Sequence, residues 1–116
     1  LYDPKKVTVF KRKLGMLAKQ QMLDRGLEPY NGPLEVCMEF YRPVQASLSG
    51  KERVMRLSGD HRPTVKPDLD NYIKSTSDAL NGIIWADDNL IISLEAKKYY
   101  AEQPHLIVEI KRPTCS

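Results

Sequence analysis

No stretch of this chain is apolar for long enough to cross a membrane. A spanning helix needs about 18–20 apolar residues in a row, whereas 28% of these 116 residues are Asp, Glu, Lys or Arg. Cysteine is scarce too. Cys37 and Cys115 are the only two, too few for a structural zinc site and poor material for a disulfide scaffold. They fit a reducing compartment, so a cytoplasmic location is expected. Nothing in these residues reads as a secretory leader, internal repeat or low-complexity tract, and the length suits one core, so residues 1–116 are read as a single domain. The sequence opens on Leu1 rather than Met, and an N-terminal element is expected before it.

What is present is unevenly distributed charge. The net charge is only +3, yet residues 1–25 hold Lys5, Lys6, Lys11, Arg12, Lys13, Lys19 and Arg25 against Asp3 and Asp24. Residues 42–66 hold Arg42, Lys51, Arg53, Arg56, Arg62 and Lys66 against Glu52 and Asp60. The sign then reverses, with Asp68, Asp70, Asp78, Asp87 and Asp88 set against Lys74. Acidic residues between basic flanks suit a metal-dependent enzyme acting on a polyanion. Solvated helix faces would explain the same bias.

Pattern gives the elements. Residues 4 to about 25 read as a helix, with Asp3 as N-cap, Pro4 in the first turn, Gly26 as the stop, and a dry stripe of Val7, Phe10, Leu14, Leu17 and Ala18. Residues 34–42 alternate, Leu34, Val36, Met38 and Phe40 against Glu35, Cys37, Glu39 and Tyr41, as a half-buried strand does. Residues 43–66 show no period and read as a basic, mobile loop facing DNA. A second helix is expected from about Leu69 to Leu80, ended by Asn81-Gly82, with Leu69, Tyr72, Ile73, Thr76 and Leu80 inward. A short strand at 83–85 and β-rich runs at 89–100 and 105–112 follow. This order argues an α+β domain with two helices packed on one small sheet.

The informative segment is Lys66-Pro67-Asp68-Leu69-Asp70-Asn71, then Lys74, Asp78-Ala79-Leu80-Asn81-Gly82, and Trp85-Ala86-Asp87-Asp88. Each acid has a plain structural explanation. Asp68 suits an N-cap, Asp70 a helix first turn, and Asp70, Lys74 and Asp78 a row of ion pairs four residues apart. The chemical explanation is that a hard dication such as Mg²⁺ takes oxygen ligands. Two carboxylates one residue apart at a loop–helix junction can share an ion, and a third from a neighbouring strand can complete the site. Lys74, one turn on, would face a phosphate there.

Those residues, with Tyr2-Asp3-Pro4-Lys5-Lys6 leading into the first helix, resemble the RusA family of Holliday-junction resolvases. The resemblance covers most of the chain. It implies a small α+β homodimer with a mixed sheet, often prophage-borne, that resolves four-way DNA junctions by paired symmetric nicks in recombination and repair. The cofactor implied is Mg²⁺, with Mn²⁺ as a substitute, and no small-molecule cofactor is implied. Asp68, Asp70 and Asp88 match the metal-binding carboxylates and Lys74 the catalytic lysine, whereas Asp78 and Asp87 match acids not assigned to metal. Lys11, Arg12, Lys51, Arg53, Arg56, Arg62 and Lys66 are the expected DNA contacts. Two departures stand out. Pro67 occupies a position where the founding member has a basic residue, and the family's N-terminal strand is missing before Leu1. The rivals are a non-catalytic DNA-binding protein of the same fold and a general metal-dependent nuclease.

Overall fold

A computed structural model describes residues 4–45, 47–64 and 68–113. The chain runs α1 (Pro4–Asp24), β1 (Leu34–Pro43), α2 (Gly50–Leu57), α3 (Leu69–Leu80), β2 (Ile91–Ala101) and β3 (His105–Lys111), with a 3₁₀ turn at Asp88–Leu90 before β2. The three strands form one mixed sheet in the order β2-β1-β3. β1 is central, parallel to β2 and antiparallel to β3. The short turn after β2 therefore makes no hairpin. It carries the chain past the end of β1 to the sheet's other edge.

The alternation of β1 does what period-two patterning requires. Leu34, Val36, Met38 and Phe40 are at most 4% exposed and join Ala18 of α1, Leu80 of α3 and Trp85 in the core. α3 seats itself as its stripe predicts, with Thr76, Ala79 and Leu80 buried and Leu69, Tyr72 and Ile73 packed on the core. After it, residues 83–85 form a turn rather than a strand. Trp85 bridges Asn81 and Tyr30 singly, and Gly82 takes the positive φ of 79° that the turn needs.

α1 departs from its expected face. Leu14, Gly15, Ala18 and Met22 look inward, whereas Phe10 and Leu17 are 36% and 65% exposed. The cause is a close helix crossing. A Cβ on Gly15 would sit 3.3 Å from the Ala79 carbonyl oxygen, so the smallest residues, which weigh least in a hydrophobic pattern, decide the rotation. Asp3, the expected cap of this helix, lies outside the described residues.

The basic stretch 43–66 contains a helix where a loop was expected. Ser49 caps α2, its Oγ accepting from the Glu52 N–H at 3.3 Å. Ser49-x-x-Glu52 is the capping-box spacing, a signal that could have revealed the helix. α2 buries none of its residues, so it has no apolar period to read. It is held to β2 from outside, with the Arg56 guanidinium 4.6 Å from the Tyr100 ring centre.

Candidate active site

α3 begins at Asp68 and Asp70, and neither carboxylate is consumed by the helix. Asp68 has N-cap backbone geometry, but its side chain makes no cap hydrogen bond. Asp70 is in the first turn, and among the described residues its one hydrogen bond is Oδ1 accepting from the Asn71 N–H at 3.0 Å. Both are exposed, as is Lys74 one turn along. The ion-pair row is not formed. Asp78 turns to Lys11 at 3.6 Å on α1, and Lys74 has no ion pair with described residues. The helix N-terminus favours negative charge at Asp68 and Asp70.

Asp88 is elsewhere. Its Oδ1 accepts from the indole Nε1 of the fully buried Trp85 at 2.6 Å, and its backbone N–H donates to Asn81 Oδ1 at 2.9 Å. Asn81 follows the last turn of α3, eleven residues beyond Asp70, or about 16 Å along a helix rising 1.5 Å per residue. The sheet gives the same answer. Tyr72, near Asp70, stacks on Phe40 with ring centres 4.8 Å apart, whereas Ile91, just after Asp88, pairs with Leu34. Leu34 and Phe40 are about 20 Å apart along the strand. One chain thus presents Asp68 and Asp70 at one end of the sheet and Asp88 at the other. Among the described residues no three of His, Cys, Asp and Glu gather closely enough to hold an ion. The expected convergence of all three carboxylates does not occur within a single chain. The exposed, uncapped oxygens of Asp68 and Asp70 suit a hard cation as part of its ligand set.

The expected DNA contacts partly assemble. Arg53, Arg56 and Arg62 each lie against β2 or the turn after it. Arg53 reaches Glu102 at 3.7 Å, and Arg56 donates to Glu52 at 2.9 Å. Arg62 donates through Nε to the Lys98 carbonyl at 2.9 Å and lies 4.2 Å over the Tyr99 ring. Arg12 and Lys51 are exposed, Lys11 is occupied by Asp78, and Lys66 lies outside the described residues. Arg42 was not expected at the site. It bonds the Tyr72 phenol and opposes the rise that burial gives that group's pKa. The stack of Tyr41 with Tyr99 and His105 on the opposite face of the sheet was not foreseen either, because each reads as ordinary strand filling.

Unused carboxylates beside arginines and aromatic rings mark a domain suited to a phosphate-rich polymer. The sequence matches the family described as endodeoxyribonuclease RusA over residues 1–111, and the chain belongs to that family. It is also similar to the uncharacterized protein YqaN of Bacillus subtilis (strain 168), with 36% identity over 111 residues, covering 94% of this chain and 76% of the relative. No solved structure matches. No helix among the described residues is long and apolar enough to cross a membrane.

Proposed function

We propose that the protein is a Mg²⁺-dependent endonuclease that resolves four-way DNA junctions as a homodimer, with Mn²⁺ able to substitute. Asp68 and Asp70 are its primary metal ligands, and the partner's Asp88 completes each site. The observation that carries this reading is Asp68, a carboxylate at a helix N-cap that makes no cap bond. A bound divalent ion would supply an activated water and neutralise charge on the phosphate. The chain's own contribution is to hold two hard oxygens at the helix start and to set Lys74 one turn away, where its ammonium offsets charge developing on the phosphate. Arg53, Arg56 and Arg62, with Arg12 and Lys51, hold the DNA backbone in register. Two-fold symmetry follows from the task, since paired nicks across a symmetric junction need two identical sites.

The distance between Asp70 and Asp88 makes the composite site testable. Asp70→Asn and Asp88→Asn should each abolish junction cleavage, while Asp70→Asn still binds the junction at least as tightly because a negative charge has gone. Mixing the two inactive variants should restore cleavage. Half the dimers are then heterodimers, each carrying one site with no substitution, so about a quarter of all sites recover. Junction cleavage by Asp70→Asn would sink the metal assignment. Cleavage by Asp88→Asn would make Asp88 structural, and no recovery on mixing would confine each site to one chain.

A further inference from the structure

The sheet face opposite the core carries a row of rings that the carboxylate site does not use. Tyr41 of β1 has Tyr99 of β2 and His105 of β3 as its cross-strand partners, and all three rings lie nearly parallel. Tyr41 and Tyr99 have centroids 5.1 Å apart at 17°, and Tyr41 and His105 have centroids 4.1 Å apart at 10°. Both faces of Tyr41 are therefore covered. Tyr99 has Tyr41 on one face, so the Arg62 guanidinium, 4.2 Å from the Tyr99 centroid, occupies the other. The row reads Arg62, Tyr99, Tyr41, His105 across the whole sheet, and it ends on an exposed ring of an edge strand. Among the described residues no ring or guanidinium covers the outer face of His105.

The row is fixed at several points. Arg62 is tied to the Lys98 carbonyl, the Tyr41 hydroxyl donates to Glu39 at 3.1 Å, and His105 Nδ1 lies 2.9 Å from the Gln103 carbonyl. Burial, then the bond to Glu39, raises the Tyr41 pKa, so the phenol stays neutral. The nearby acids Glu95 and Glu109 are each matched by a lysine, Lys97 and Lys111, at 3.1 Å. The row also stands at the right end of the sheet. Phe40, the residue before Tyr41, stacks on Tyr72 of α3, next to Asp68 and Asp70.

We propose that this row is a stacking site for an unpaired DNA base, which seats on the open face of His105 and extends the row by one ring. Cross-strand ring pairs alone would stabilise the sheet, but that role needs neither an exposed terminal ring nor a guanidinium at the far end. Base-on-ring stacking accepts any base, because every base has a π-face. At the crossover of a branched substrate a base pair must open to supply such a base. This inference rests on the nuclease reading above.

The test uses the Asp70→Asn protein without metal, so it does not depend on cleavage. The probe is 2-aminopurine flanked by thymines, placed in a single strand, at the branch point of a four-way junction, or inside a blunt duplex. Binding should quench the single strand and the junction but not the duplex. Adding His105→Ala should remove the quench and weaken single-strand binding about five- to hundred-fold, the scale of one lost base–ring stack. His105→Phe should restore both, and the melting temperature should stay level across the set. Quenching of the strand alone would support the site and identify its source as unpaired strand rather than the crossover. Absent quenching, or equal quenching with His105→Ala, overturns the inference. That result alongside junction cleavage by the parent protein would leave the nuclease reading intact.

Discussion

Asp88 has a structural duty and a proposed catalytic one, which different substitutions separate. Its carboxylate is the partner of a buried indole N–H, and a buried donor left unpaired costs about 1–3 kcal/mol. Asp88→Ala should therefore lower the melting temperature by several degrees, at about 4–8 °C per kcal/mol for a domain of this order of size. Asp88→Asn keeps an oxygen at the same place and should melt near the parent while losing junction cleavage. Calorimetry and a cleavage assay on both variants check this, and equal melting of the two would remove the structural half of the claim. Lys74 offers the opposite case. It has no ion pair to lose among the described residues, so Lys74→Met should leave the melting temperature unchanged. Single-turnover cleavage of saturating junction should fall about 10²–10³-fold, the scale for one pre-organised electrostatic contact. A normal rate would reduce Lys74 to a solvated side chain.

Among the elements, α2 depends most on ionisation. Glu52 accepts from Arg56 Nε at 2.9 Å, and its other oxygen lies 2.8 Å from His61 Nδ1. The bond from Arg56 and then that from His61 pull the Glu52 pKa below its ordinary value of 4.5. A group whose pKa falls on folding contributes its full stability above the unfolded value and loses it as pH falls through the folded one. Residues 50–61 should therefore open locally below pH 4.5, before the core does. Hydrogen exchange by mass spectrometry at pH 3–6, corrected for intrinsic rates, would show protection fading there first, and Glu52→Gln should make it insensitive to pH over that range. Loss in step with β1 would mean that α2 is part of the core's cooperative unit. The same helix shows why periodicity failed over 43–66, since a helix fastened by a cap, a salt bridge and a guanidinium on a ring has no buried stripe to announce it.

At the scale of the whole molecule, legibility in the sequence follows burial. β1 and α3 are packed on the core through regular apolar positions, and their limits were readable to within a residue. α1 was readable as a helix but not in its rotation, because Gly15 and Ala79 act through their smallness. The site divides in the same way. The pattern from Asp68 to Asp88 named the acids, but it carries no distance, and only the topology separates the start of α3 from the start of β2. The ring row was invisible because Tyr41 lies far in sequence from Tyr99 and His105 and meets them only through strand register, while Arg62 joins from outside the strands.

That strand order also governs how the chain is made. Among the described strands β1 is translated first, yet both of its neighbours come from residues 91–111. A ribosome therefore releases the most deeply buried of these strands before either of its sheet partners, and nearly fifty residues must follow before those partners begin. Long-range pairing of this kind slows folding, and unpaired edges invite association. A nascent chain stalled short of Ile91 can form its helices but not this three-stranded sheet, so residues 91–111 decide whether β1 is covered.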